Sequence, residues 1–343
     1  MGNRYGLFLA LMCAGVAHAG GPPKPTSIAA AQATAKDNFL CRSIEPFYWE
    51  IGDATGTLIS ASVGLDSTGA PVLATTKMDV ASASKWLYGT YVVQIRKSAA
   101  NLTAQDINFL HQTSGYTNMG GLGHPAGTCP PSDSPDSINA CLALINPTDD
   151  LPYNYQDPAT VGFFDYDGGH FENHASLYTG IADLGVQALG PALSRQMGPG
   201  VRFIYTQPLL AGGINMTPAT YALVLQHIVD GSLFMHDALG TSPVCTLASP
   251  TCKSLNSPVP FAWHYSIAHW VEDDAANHGD GAFSGAGGQG FYPWIEASKT
   301  YYGLIGRVKT GVGQQGQQSV RCGGLIRHAW DTGVQQKGPT PVG

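Results

Sequence analysis

The sequence predicts an α+β fold in which the two ends of the chain build one antiparallel sheet and the middle supplies helices packed on it. Three observations carry this expectation: a β-rich hairpin near the start, a long helical middle, and a closing pair of β-rich runs. The elements do not alternate strand and helix as a parallel sheet would require, and no internal repeat is visible. The sheet region is expected at about residues 37–80 and 261–343, and the inserted helical region at about 81–260.

The first residues read as a secretory signal. Arg4 gives a positive start, Gly6 to Val16 is an apolar run, and Ala17, His18 and Ala19 form a small-x-small cleavage site. Residues 1–19 are therefore expected to be removed, leaving 20–343 as one domain that is secreted or periplasmic. No later segment approaches the roughly 20 apolar residues that a membrane-spanning helix needs. Processing as a lipoprotein at Cys13 is disfavoured by bulky Met12. Residues 20–36 look like a flexible or weakly helical lead-in.

The stretch "FYWEIGDATGTLISASVG" at 47–64 has two β-rich runs around an Asp53–Gly56 turn and reads as a hairpin. Helical patterning follows at 82–97, at 103–112 behind the Thr103 and Asp106 capping pattern, at 171–190, and at 217–231 behind Thr217 and Pro218. Turn-rich stretches occupy 118–160 and 237–260. The run "GFYPWIEASKTYYGLIGRV" reads as two strands joined by a polar turn, and "QSVRCGGLIRHAW" as a closing helix.

Charged residues make up only 12% of the 343, with 43 Gly and 23 Pro, which points to a compact body rich in tight turns. A net charge of −7 argues against nucleic acid or an anionic membrane surface as partner, leaving a small molecule or a polymer end. Once Cys13 leaves with the signal, Cys41, Cys129, Cys141, Cys245, Cys252 and Cys322 remain, an even set suited to disulfides in an oxidising compartment. Sequence alone leaves the connectivity open. The favoured set is Cys129 with Cys141 and Cys245 with Cys252 as local staples, and Cys41 with Cys322 tying the chain ends together. Neither a CxxC pair nor zinc-type Cys and His spacing is present, so no metal or other cofactor is expected.

One short stretch carries chemistry. In "ASASKWLYGT" at 81–90, Ser82 opens a helix and Lys85 lies one turn along the same face, where its amine can reach the serine oxygen. Serine needs such a neighbouring base to act as a nucleophile, and the helix N-terminus favours negative charge developing at its oxygen. Alone, the pair is equally an ordinary solvated helix start.

Its surroundings give it weight. "MDVASASKWLYGTYVVQI" at 78–95 is followed in order by "INFLHQTSGY" at 107–116, "FFDYDGGHFENHASLYTGIADLGVQALG" at 163–190, "LLAGGINMTPATYALVLQHIVDGSL" at 209–233 and "FSGAGGQGFYPWIEASKTYYGLIGRV" at 283–308. This series resembles the serine β-lactamase and penicillin-binding-protein superfamily, most closely the class C-like branch that includes the family VIII carboxylesterases. Each motif is weak singly, and their order across most of the chain is what persuades.

The resemblance implies a β-lactamase/transpeptidase-like fold and an acyl-enzyme mechanism. In it Ser82 is the nucleophile, Lys85 and Tyr166 shuttle the proton, the backbone N–H groups of Ser82 and Ala286 hold the oxyanion, and Ser284 and Gly285 lie in the substrate-binding strand. Two literal motifs compete with this assignment. Tyr116, Thr117 and Asn118 spell Tyr-x-Asn but adjoin the His111–Gly115 stretch, which in the family comes well before that motif, so Tyr166 is preferred. Lys309, Thr310 and Gly311 spell Lys-Thr-Gly but lie too near the end of the chain, so Phe283, Ser284 and Gly285 are preferred.

Both preferred positions depart from the family pattern: Tyr166, Asp167 and Gly168 lack the Asn, and Phe283 replaces the Lys that holds a substrate carboxylate. This loss of a cation shifts the expected substrate toward a neutral ester or amide. The runner-up is a D-alanyl-D-alanine carboxypeptidase or β-lactamase acting on a peptidoglycan fragment or a β-lactam. A non-catalytic binding module that keeps the fold is the rival from another class. Tyr166 also reads as an ordinary core aromatic. His170, Glu172 and His174 invite a metal reading, but Phe171 separates the first His from Glu, so they are expected to be helix-face residues near the site. His264 and His269 are expected in a strand or a pocket wall.

Overall fold

The structure, a computed structural model, describes residues 24–119, 136–308 and 315–342. The expected signal peptide, Cys129 of the third expected disulfide, and the Lys309–Gly311 triplet lie outside these residues.

The α+β organisation is as the sequence predicts. Eight strands form one sheet, in the spatial order Gly56–Val63, Phe47–Asp53, Tyr301–Gly306, Tyr292–Ile295, Ala282–Ser284, Trp270–Glu272, His264–Tyr265 and Val244–Cys245. Every neighbouring pair is antiparallel. The two chain ends meet at the second and third strands of this sheet, where Tyr48 pairs with Gly306 and the register runs on to Asp53 with Tyr301. The Phe47–Asp53 strand is buried on both faces nearly throughout, so its sequence does not alternate apolar with polar, and Glu50 is buried within it.

Both faces are buried because helices cover both. On one face the Pro25–Asp37 helix and the long Gln315–Thr332 helix pack over Trp49, Ile51, Trp294 and Ile305. On the other, the larger core gathers Trp86, Leu87 and Tyr88 with Tyr221, Phe291 and Leu304. Arg327 of the terminal helix is buried and holds Glu272 at 2.7 Å and Asp280 at 2.6 Å, which fixes that helix to the strand edge. The expected bridges Cys41–Cys322 and Cys245–Cys252 are both formed.

Three expectations need revision. The lead-in is a full helix, Pro25–Asp37, because Ala30, Ala31 and Ala35 let it lie close against the terminal helix. The single helix expected at 171–190 is broken into Gly169–His174, a π turn at Ala175–Thr179 and Val186–Ser194. Gly180 ends the first part in the left-handed region at φ 70°, which no β-carbon opposes. Val244–Cys245, inside the expected helical region, pairs with His264–Tyr265 and becomes the last strand of the sheet.

The Cys41–Cys322 bridge closes a sequence separation of 281 residues. Loop-closure entropy at that length makes its loss cost on the order of 2–5 kcal/mol. Replacing both cysteines by alanine should lower the melting temperature by several degrees in differential scanning fluorimetry, and an unchanged transition would show that the helix pair alone holds the ends.

Candidate active site

A short strand delivers Ser82. Met78 and Asp79 pair with Met216 and Asn215, and Val80 N–H donates to Ile214 O at 3.0 Å, so the chain enters the site on a fixed ladder. It then turns sharply. Ala81 takes φ 48°, an unusual conformation for a residue with a β-carbon, and Ser82 caps the Ala83–Arg96 helix. The Tyr221 hydroxyl donates to Ala83 O at 2.9 Å and holds the first turn from below.

Lys85, one turn on, is 5% exposed. Its Nζ donates to Ser82 Oγ at 3.2 Å and to Ala211 O at 3.0 Å. The same atom lies 4.7 Å from the ring centroid of Tyr166 and 5.7 Å from that of Phe171. Tyr166 arrives from a distant segment, its ring stacked on Trp270 at 5.5 Å, and its own N–H donates to Asn256 O at 3.0 Å. The three residues singled out from the sequence therefore meet. The detail differs from expectation in one respect: Lys85 lies over the face of Tyr166, with no hydrogen bond to its hydroxyl among the described residues.

The three open onto a cleft of about 740 Å³, whose wall includes Val259, Phe261, Trp263 and Trp270. Opposite Ser82 runs the extension of the Ala282–Ser284 strand. Gly285 N–H donates to Pro293 O at 3.2 Å and Gly287 N–H to Phe291 O at 2.7 Å. Strand alternation turns the Ala286 N–H between them the other way, toward the cleft that Ala286 lines. Among the described residues neither Ser82 N–H nor Ala286 N–H donates to a protein acceptor.

This approach requires glycine at 287. A β-carbon there would lie 2.1 Å from Val80 O. Ser284 and Gly285, expected in the substrate-binding strand, do not line the cleft. Ser284 is fully buried between its pairing partners Trp270 and Trp294, and a β-carbon on Gly285 would press on Trp86 at 3.2 Å.

The remaining candidates are structural. Tyr116 stacks on Phe109 at 5.4 Å, and Asn118 donates to Pro152 O at 3.1 Å. His174 is held through both ring nitrogens, by Asp106 at 3.0 Å and the Tyr88 hydroxyl at 2.7 Å. His170 bonds Ser114 Oγ at 2.7 Å and Asp165 O at 3.0 Å. His264, on a strand, faces Asp273, while His269 is buried against Trp86 and accepts from Gly240 N–H at 3.0 Å.

Sequence reasoning weighed one group of consequence only as a metal ligand. Glu172, fully buried, accepts from Leu210 N–H at 3.0 Å and Ala211 N–H at 2.8 Å, behind the carbonyl that Lys85 touches. A glutamate inside the apolar helical patch "FENHA" is the signal that marks it.

With this geometry in hand, comparison with known proteins gives the fold its family. No protein-family model and no curated protein matches the chain. Among solved structures, the octameric penicillin-binding protein homologue from Pyrococcus abyssi superposes with a TM-score of 0.58 at 11% identity, covering 88% of this chain and 76% of that one. A protein described as a 6-aminohexanoate-dimer hydrolase from Bacillus anthracis gives 0.53 at 14% identity over 87% and 82% of the two chains. A mutant of the simvastatin synthase of Aspergillus terreus gives 0.51 at 12% identity over 92% and 99%. The chain thus has the fold of the serine β-lactamase and penicillin-binding-protein superfamily.

The buried titratable groups set a pH dependence. Burial pulls His170 and His269 down to about 3 and His111 to about 4. A histidine depressed in this way stabilises the fold above its unfolded value of about 6.5, and the contribution is lost as pH falls. Burial pushes Glu172 up to about 7, and burial with the Asp167 charge pushes Asp165 up to about 7. These act oppositely: their contribution is complete below about pH 4 and is lost as pH rises through about 7. Burial lowers His174 along with these imidazoles and raises Glu50 and Asp331 along with these carboxylates, so the two sets oppose each other between pH 6.5 and pH 4, and a melting temperature that falls over that interval assigns control to the imidazoles. A rise over that interval would assign control to the carboxylates.

Proposed function

We propose that the protein is an exported serine hydrolase that cleaves an uncharged ester or amide through an acyl-enzyme on Ser82. The observation that carries this reading is the 3.2 Å contact of Lys85 Nζ with Ser82 Oγ at the open floor of an aromatic-walled cleft. Export is supported by the Cys41–Cys322 and Cys245–Cys252 disulfides, since such bonds persist in oxidising compartments.

In the reacting form the serine hydroxyl donates to the Lys85 amine, which takes its proton as Ser82 Oγ attacks the carbonyl carbon. The resulting oxyanion is met by the N–H groups of Ser82 and Ala286, and each such donor contributes about 10²- to 10³-fold in rate. Lys85 then passes its proton, by way of the Tyr166 hydroxyl, to the leaving alcohol or amine. Water, deprotonated by the same pair, releases the acid and restores Ser82. Tyr166 suits this part because its ring is clamped between Trp270 and the lysine while it lines the cleft.

The substrate preference follows from the lining. Among the described residues the only titratable groups on the cleft are Asp79, Lys85 and Tyr166, and Phe283 stands where the family carries its carboxylate-binding lysine. A neutral acyl compound fits that surface better than a peptide ending in a carboxylate.

The mature protein should hydrolyse a p-nitrophenyl acyl ester and be labelled by a fluorophosphonate probe. Ser82→Ala should abolish both, and Lys85→Ala should lower the acylation rate by about 10³-fold or more with the fold intact by circular dichroism. Labelling that is absent in the unaltered protein would favour a binding module, whereas a long-lived penicillin adduct on Ser82 would favour the peptidoglycan reading.

A further inference from the structure

The lysine on which the proposed chemistry turns is not held by the serine alone. Its second hydrogen bond goes to the carbonyl of Ala211, in the tight turn ahead of the Ile214–Met216 strand. That turn has little freedom of its own: Gly213 N–H donates back to Leu209 O at 2.7 Å, and a β-carbon on Gly213 would lie 2.6 Å from Gln207 O. The Ala211 carbonyl belongs to the peptide group whose Gly212 N–H donates to Leu209 O at 3.4 Å, and its direction is set through the two peptide groups that precede it.

Glu172 grips them. Its Oε2 accepts from Leu210 N–H at 3.0 Å and its Oε1 from Ala211 N–H at 2.8 Å, so one carboxylate spans two successive peptide groups. The side chain is wholly buried on the Gly169–His174 helix, the helix that follows Tyr166 and carries Phe171, whose ring also faces Lys85. A carboxylate in such a place is expensive to keep dry, and a helix face packed on a core would ordinarily carry an apolar residue there. The two backbone donors and the charge of Lys85 favour its ionised form against that burial.

We propose that Glu172 is a positioning residue of the reaction. Its carboxylate fixes the Leu210–Ala211 peptide groups so that the Ala211 carbonyl aims at Lys85 Nζ and holds the amine against Ser82 Oγ. The link runs from Glu172 through the 210–211 peptide group and Ala211 to the carbonyl of the next peptide group and so to the base, and Glu172 itself touches no reacting atom. The inference rests on Lys85 being the base of an acyl transfer, as set out above.

Glu172→Gln keeps the shape and one acceptor but turns an amide N–H₂ toward a backbone N–H, which loosens the turn. The test is pre-steady-state acylation by a fluorophosphonate, with labelled sites counted so that only competent molecules enter the rate. A misplacement of about 1 Å at the base lowers the rate by on the order of 10²-fold. The expected result is a maximal acylation rate reduced to that extent, with the half-saturating probe concentration and the labelled fraction unchanged, and partial recovery in Glu172→Asp. An unchanged rate per labelled site, with any loss confined to the labelled fraction or melting temperature, would overturn the proposal and leave Glu172 a folding residue. If Glu172→Gln does not fold, Glu172→Asp is read by the same criterion, and failure of both to fold overturns it as well. Absence of Ser82-dependent labelling in the unaltered protein would instead sink the acyl-transfer reading, so the two failures are distinct.

Discussion

Close backbone contact around Val80, Ala81 and Ser82 is the constraint on which the rest of the site depends. The serine must stand proud at the tip of a helix, which forces the preceding residue into the left-handed region, and Ala81 occupies it at φ 48°. A residue with a β-carbon held there costs about 1–3 kcal/mol. The conformation persists because the surroundings over-determine it. Val80 is tied to Ile214, Ala83 N–H bonds back to Val80 O at 3.1 Å, and Tyr221 supports the first turn. Gly287 completes the arrangement from the other side by letting the strand extension rest directly on Val80, so that Ala286 and Ser82 line the same cleft. The helix tip and the sheet edge are thus one packing unit, assembled from segments some 200 residues apart.

That unit also explains how an amine can be kept nearly dry beside a hydroxyl. Lys85 has two oxygen partners, Ser82 Oγ and Ala211 O, and two aromatic faces, Tyr166 and Phe171. Aromatic faces favour a nearby cation, and the carbonyl accepts a proton from the amine in either state. Carboxylates stand one layer back. Asp167 accepts from Gly169 N–H at 2.6 Å and Glu172 from the 210–211 turn, and among the described residues the oxygens that Lys85 Nζ bonds are Ser82 Oγ and Ala211 O. A direct carboxylate partner would hold the amine's proton in an ion pair, whereas a carbonyl positions it without that demand.

Sequence made the frame legible because the frame is local. The hairpin, the capping box of Thr103 and Asp106, and the helix opened at Ser82 each have a period or a cap that survives any tertiary context. Joining of the chain ends was readable from the order of elements and from Cys41 and Cys322. What escaped was decided by packing. The alanine-rich lead-in looked flexible because its helix has little apolar contrast, and only the terminal helix lying against it shows why small residues suffice there. The break at Gly180 was hidden inside a long apolar pattern. Of the site, Ser82, Lys85 and Tyr166 were found through motif order, and Ala286 came with them. Ser284 and Gly285 were assigned by strand position, which cannot tell a side chain on the cleft from one sealed between Trp270 and Trp294. Glu172 was noticed only as a false metal ligand, because its partners are backbone N–H groups that no side-chain motif records.

Phe283, in the strand that leads to Ala286, is bound into the core by the packing around it. Phe283 is buried, its ring meeting His269 edge-on at 5.7 Å. Gly240, in the left-handed region at φ 71°, leaves room for that ring, since a β-carbon there would lie 2.6 Å from it. His269 in turn stacks on Trp86 at 5.6 Å, and burial holds it neutral. Lys299 Nζ already lies 5.8 Å from the centroid of the Phe283 ring, so a lysine at 283 would bring a second ammonium into this aromatic and imidazole packing. Position 283 has therefore become part of the core under Trp86, the same tryptophan that Gly285 rests on beside the site. Putting a charged side chain at 283 would require rebuilding Gly240, His269 and Trp86 together.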